Sequence, residues 1–263
     1  MQNPILENKM YHAPSVFTVE NMLREARRQK DIPNDKVPSI CILDPDGDIV
    51  HHLIATSQAN IHPNWACYHT KLYMFSQDGL EYGIIPHVVG ASFAVLVAEE
   101  LFASGCELLI SVTSAGQIVP IGQPPYFVLI ERALRDEGTS YHYLAPADYS
   151  DISPTILNKL QGTFSGSPVL VHQGATWTTD APFRETETAI EYARSERILG
   201  VEMEAAALYA FAQVKDKVVV CFAHITNQMA QIDGDFEKGL DQGSHDALLI
   251  IGLAATRLVS YLR

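Results

Sequence analysis

Two carboxylates, Glu202 and Glu204, stand at the entrance of the run GVEMEAAALYAFA (200–212), whose alanine-rich, apolar composition is otherwise that of a buried helix. A buried carboxylate without partners is costly, so each must find donors, sit in a wet cleft, or hold a ligand that donates to it. A plainer role is also open to them. Both also read as first-turn glutamates serving a helix dipole, or as partners of Arg194 or Arg197.

The elements that must position these groups follow from alternation. Apolar, β-branched runs begin with VPSICILD (37–44) and continue through KLYMF, LEYGII, ELLISVTS, YFVLIERA, SPVLVHQGA and KVVVCFAHIT. Between them lie segments of helical spacing at 92–105, 153–162, 186–197, 200–212 and 244–262. This pattern predicts an α/β fold around a mostly parallel or mixed sheet. No linker or repeat interrupts it, so residues 1–263 read as one domain, with an N-terminal segment, 1–36, that holds a helix of unassigned role.

Composition narrows the function. A hydrophobic share of 47% excludes a disordered chain, and a net charge of -13 without an acidic tail argues against nucleic acid or anionic membrane as a partner. Cys41, Cys67, Cys106 and Cys221 lack metal or redox spacing and read as core thiols of a reducing cytoplasm. The start MQNPILENKMYHAP lacks a basic segment followed by an apolar one, and no apolar run reaches membrane-spanning length, so a cytoplasmic location is expected. No metal cluster and no GxG fingerprint after the first strand are present, so no metal or redox cofactor is implied.

In open α/β sheets, ligands bind at the carboxyl ends of strands. Three strand exits are polar, small or aromatic directly after an apolar run: SVTSAGQI, HQGATWTTDAPFRE and AHITNQMAQ. Together with Glu202 and Glu204 they can line one cleft.

Four segments, GVEMEAAALY (200–209), TSAGQI (113–118), ERALRDEGTSYHY (131–143) and TWTTDAPFRE (176–185), resemble the nucleoside phosphorylases of the uridine phosphorylase and hexameric purine nucleoside phosphorylase type. The resemblance runs from about Tyr68 onward and implies a single α/β domain with a central mixed sheet flanked by helices. It implies an enzyme that exchanges the base of a nucleoside for phosphate at the anomeric carbon, with phosphate as co-substrate and no cofactor. It also implies a homo-oligomer built on dimers, up to a hexamer, with active sites shared across the dimer interface.

By this resemblance, Met203 packs on the ribose, Glu204 accepts hydrogen bonds from ribose hydroxyls, and Glu202 lies at the mouth of the sugar site. A carboxylate is acceptor-only with room for two hydroxyl donors, which suits a vicinal diol. Thr113 matches a threonine that contacts phosphate and ribose, with Ser114 and Gly90 beside it at the phosphate; the plain alternatives are a capping threonine and a packing glycine. The base would meet Thr178, Phe183 and Arg184, with Trp177 as a further stacking group. Asp180 reads as a loop tie and His142 as a structural histidine. Asn227 and Gln228 stand where purine-cleaving relatives carry an acidic Asp. A neutral amide can stabilise charge on a leaving uracil but cannot act as a general acid, which favours a uridine-like substrate with Asn227, Gln228 and Arg184 assisting departure.

The pattern breaks at the phosphate site. Where the family has a Gly-Asp-Pro-x-Arg turn, the chain reads LDPDGDIV, with Gly47 in the arginine's place and Asp46 and Asp48 beside it. A second family arginine has become Ile110. Each hydrogen bond to a charged group is worth roughly 1.5–3 kcal/mol, so the loss is large unless other cations stand in. Lys71, His87, His69 and Arg24 are candidates, and His12 is a further group that a neighbour's site could use. Three readings follow: a phosphorylase with a rebuilt phosphate site, a nucleosidase that uses water, and a catalytically silent nucleoside-binding protein.

Overall fold

The computed structural model describes residues 3–229 and 233–262. In chain order the elements are α1 (Val19–Lys30), β1 (Ile40–Asp44), α2 (Asp48–Ala55), β2 (Asn60–Ile61), β3 (Tyr73–Gln77), β4 (Leu80–Pro86), α3 (Ala91–Ala103), β5 (Leu108–Gln117) and β6 (Tyr126–Asp136). They continue with β7 (Tyr149–Asp151), α4 (Pro154–Leu160), β8 (Val171–Thr179), α5 (Glu187–Ser195), β9 (Gly200–Glu202), α6 (Ala205–Lys215), β10 (Val218–Asn227) and α7 (Ser244–Leu262). The fold is mixed α/β, a central sheet flanked by helices, as the alternation predicts.

Strands β4, β1, β5 and β10 are parallel neighbours, so their carboxyl ends reach one edge together: Asp44 pairs with Pro86, Leu43 with Ser111, and Ala223 with Thr113. Residues along β1 are buried on both faces, which is why its sequence is a continuous apolar run rather than an alternating one. Beyond the β1 register, β5 runs on to pair antiparallel with β9 through Gly116 and Val201. Strand β9 lies parallel to β8, β8 parallel to β6, and β6 antiparallel to β10. The pairings β5–β9–β8–β6–β10–β5 therefore close into a ring, with β1, β4, β3 and β2 extending from it. Helices α1, α3 and α6 pack in one group, and α2, α4 and α7 in another.

Three local features differ from the sequence reading. Within LDPDGDIVHHLIA, residues Asp48–Ala55 form α2, because Ile49, Val50 and Leu53 fall on one buried face. Helix α7, with the turn before it, is long and apolar enough by composition to cross a membrane, contrary to the reading that no such run exists. Its apolar side chains, Leu248, Ile250, Ile251 and Leu258 among them, are buried in the protein core, so it is a core helix here. The third difference concerns residues 200–204. They are not the first turn of a helix: Gly200–Glu202 is a strand and α6 begins at Ala205. Neither glutamate forms an ion pair among the described residues, and Arg194 donates to the Ile118 carbonyl instead.

At this junction Glu202 has a structural task. Its Oε1 accepts from the Thr176 and Thr178 hydroxyls (3.1 and 2.5 Å), and its Oε2 accepts from the backbone N–H groups of Glu204 and Ala205 (2.7 and 2.8 Å). One carboxylate thus ties β8 to the start of α6 and satisfies orphan donors of the helix end. All four acceptor positions are filled by protein, which leaves no free oxygen for the ribose contact expected of Glu202. Replacing Glu202 with alanine strands these donors. A destabilisation of about 3 kcal/mol or more is expected, read as a fall in thermal midpoint of roughly 6 °C or more.

Candidate active site

Glu204 sits two residues on, buried like Glu202, in the N-cap position of α6. Its Oε1 accepts the Gly90 N–H at 2.7 Å, while its Oε2 is buried with no hydrogen-bond partner among the described residues. Gly90 is itself the cap of α3 with φ +93°, a conformation that favours glycine. The chain therefore uses one glycine turn to fill half of the carboxylate and leaves the other half open. Burial first, and then the neighbouring Glu202 carboxylate, push the Glu204 carboxyl up to about 8, with the Gly90 N–H and the adjacent Thr113 hydroxyl acting in the other direction. The two carboxyls are alike chemically and opposite in role. Glu202 has four donors, so Glu204 holds the proton of the pair.

Met203, half-buried, lies between them on the chain, and Thr113 is buried on β5 with its hydroxyl 3.4 Å from the Ser114 carbonyl. Ser114 donates its hydroxyl to Asp46 Oδ2. Asp46 and Asp48 both bind Lys238 Nζ, at 3.1 and 2.5 Å. Asp44, held by the N–H groups of Gly47 and Val50, is pushed up to about 7, chiefly by burial. Asp44, Asp46, Asp48, Thr113, Ser114 and His224 line a small cleft at the ends of β1 and β5. His224 is stacked on Phe127 (4.3 Å between ring centres, 5° between planes), and burial pushes it down to about 4, so it is neutral. The turn after β1 thus brings three aspartates together with one lysine. Lys238 was not singled out from sequence; its signal is a lone lysine in the otherwise acidic IDGDFEKGL stretch beyond β10.

The expected base site is gathered only in part. Thr178 is fully buried, donating to Glu202 and accepting the Ala206 N–H, so its hydroxyl serves the β8–α6 junction and not a base. Phe183 is 99% exposed on the short 3-10 turn Pro182–Arg184, and the Arg184 side chain is exposed with no partner among the described residues. Trp177 is a core residue that donates to Asp136, Asp180 ties its loop to the Gly138 N–H, and His142 meets Lys9 at the surface. Asn227 is buried; its Nδ2 donates to the Thr226 hydroxyl (3.1 Å) and its Oδ1 accepts the Met229 N–H (2.9 Å), leaving one amide N–H uncommitted among the described residues. The Gln228 side chain is exposed, with its backbone N–H held by Asp235. Of the proposed replacement cations, His69, Lys71 and His87 line one cavity, whereas Arg24 pairs with Glu25 on α1.

The raised Glu204 carboxyl has a consequence for stability. Its folded value of about 8 lies above the ordinary 4.5, so between those values the folded state binds the extra proton and stability falls as pH rises. Glu204→Gln, which cannot ionise, is expected to gain thermal stability over the wild type more at pH 8.5 than at pH 5. Parallel melting curves at the two pH values check this, and an equal difference at both would contradict it.

A family model described as the phosphorylase superfamily matches residues 39–252. An uncharacterized protein of Acanthamoeba polyphaga mimivirus is 30% identical over 168 residues, covering 63% of this chain and 64% of that protein. A guanosine phosphorylase of Halorubrum lacusprofundi is 27% identical over 150 residues, 55% of this chain and 60% of that protein. The matches thus span less than two thirds of either relative. Two crystal structures of uridine phosphorylase from Vibrio fischeri share the fold. One, complexed with 6-hydroxy-1-naphthoic acid, has TM-score 0.65 and 20% identity over 87% of this chain and 91% of that one. The other has TM-score 0.64 and 18% identity over 97% of both chains. With the family model covering most of its length, this chain belongs to the phosphorylase superfamily.

Proposed function

We propose that the protein cleaves the N-glycosidic bond of a uridine-like nucleoside with phosphate, releasing the free base and a sugar 1-phosphate. The observation that carries this reading is Glu204 Oε2, a buried carboxyl oxygen near Thr113 without a hydrogen-bond partner among the described residues. A ribose diol would satisfy it, its hydroxyls donating as the carboxyl gives up its proton, so ligand binding relieves a cost already built into the fold. With the diol held, the C1′–N bond breaks ahead of attack, its electron pair leaves with the base, and an oxocarbenium-like sugar meets a phosphate oxygen from the Thr113–Ser114 side. The uncommitted N–H of Asn227 is suited to a carbonyl of the departing base. An amide supplies no proton, and this matches a base such as uracil, whose anion is stable enough to leave as such. Gln228 and Arg184, both exposed, assist in this reading only once their loops meet the ligand.

One observation favours a second reading. Asp44, Asp46 and Asp48 face Thr113 and Ser114 across the cleft with Lys238 as their only described cation partner, an environment that repels a free anion and admits water. Hydrolysis needs no anion site. Assembly into a homo-oligomer also belongs to the proposal and is supported by large apolar side chains exposed on the strand-exit loops, Phe183 and Leu240 among them.

Product analysis with uridine, with and without phosphate, separates these outcomes. Sugar 1-phosphate formed only with phosphate is the expected result, and free ribose in both buffers would establish hydrolysis. Glu204→Gln is expected to lower turnover by about 100-fold or more. Unchanged turnover would remove Glu204 from the site, and no cleavage despite nucleoside binding would leave a silent binding protein.

A further inference from the structure

Gly116 stands where three strands meet: it pairs with Asn227 of β10 on one side and with Val201 of β9 on the other. Alternation along β5 puts it on the strand face of Ser114, which lines the small cleft. A side chain there would have no room. A Cβ built on Gly116 would fall 2.6 Å from Met229 Sδ, 3.3 Å from Asn227 Oδ1 and 3.4 Å from Val201 Cγ1. The glycine thus leaves a slot on the sheet, and the thioether of Met229 fills it.

Met229 reaches the slot because the chain turns back directly after β10. Asn227 Oδ1 accepts the Met229 N–H at 2.9 Å, closing an Asx-type turn, and the intervening Gln228 N–H is held by Asp235. Met229 takes φ +68°, a conformation that a non-glycine residue adopts at a cost. A turn that only reversed the chain would be cheaper with glycine or asparagine at this position. The large side chain is instead half-buried and packed against the apolar cluster of Ile118, Trp177 and Val201. Met229 is therefore fixed at both its backbone and its side chain.

The slot adjoins the group assigned to the leaving base. The same Asn227 amide that turns Met229 inward carries the N–H suited to a base carbonyl. A ring seated against that amide meets the thioether beside it. A pyrimidine presents one ring, whereas a purine adds a fused second ring that needs further space along this wall. Two separate limits then act on the base: the amide of Asn227 restricts which base can depart, and the bulk of Met229 restricts which base can enter.

We infer that Met229 is a specificity-determining residue, its thioether walling the base site over Gly116 and restricting that site to a single-ring base. The inference rests on the nucleoside-cleaving reading above and concerns the size of the base, not the chemistry of its departure.

Calorimetric titration of the full chain with uridine and with inosine tests it, alongside uridine turnover, in the wild type, Met229→Ala and Met229→Leu. Leucine keeps the approximate volume of methionine, whereas alanine opens the slot. The wild type is expected to bind uridine more tightly than inosine. Met229→Ala is expected to raise inosine affinity relative to uridine by about tenfold or more, and Met229→Leu to keep the wild-type ratio. A ratio that Met229→Ala leaves unmoved, a shift of equal size in Met229→Leu, or a wild type that binds both nucleosides equally overturns the inference, and uridine cleavage in that case keeps the nucleoside reading standing. Uridine bound but not cleaved, with the ratio shifted in Met229→Ala alone, would sink the cleavage reading and leave the wall in place. Binding of neither nucleoside overturns both.

Discussion

Two glutamates two residues apart, both buried and both at the head of α6, set the constraint around which this edge of the protein is arranged. Two adjacent carboxylates cannot both ionise cheaply in a dry site. The fold resolves the conflict by unequal supply. Glu202 receives two hydroxyls from β8 and two backbone N–H groups, and so locks the ring of strands to the helix. Glu204 receives one N–H and keeps an open oxygen. The strained economy of the pair is the feature that a nucleoside's diol would complete.

The other elements follow from where that oxygen must point. Strand β9 turns back antiparallel to β5, which brings Glu204 toward Thr113 at the shared edge of β1, β4, β5 and β10. The glycine turn at Gly90 donates across from β4, and Asn227 ends β10 nearby on the same edge. At the β1 turn, His87 packs over Gly47, and Asp46, Lys238 and Asp48 form a cluster.

Much of this was legible in the residues. The main strands were marked by continuous apolar runs, because strands covered on both faces need them, and Glu204, Thr113 and Gly90 meet at the strand exits. What sequence could not resolve was division of labour within a motif. Glu202 and Thr178 sit in the right segments, yet they bond each other, and nothing in GVEMEAAALY tells a capping carboxylate from a binding one. The strand at Gly200–Glu202 was hidden inside a helical composition, since three residues cannot set a period. Lys238 and the His87–Gly47 contact depend on separations of 192 residues and on a backbone angle, neither of which spacing reveals.

The most direct measurement is the ionisation of Glu204 itself, followed by carbon-13 NMR of its labelled side-chain carboxyl across pH, with and without saturating uridine. The account predicts a midpoint near 8 in the free protein that moves down toward the ordinary carboxylate range when ribose hydroxyls supply the missing donors. A midpoint near the ordinary 4.5 in the free protein, or one that uridine leaves unmoved, would contradict it.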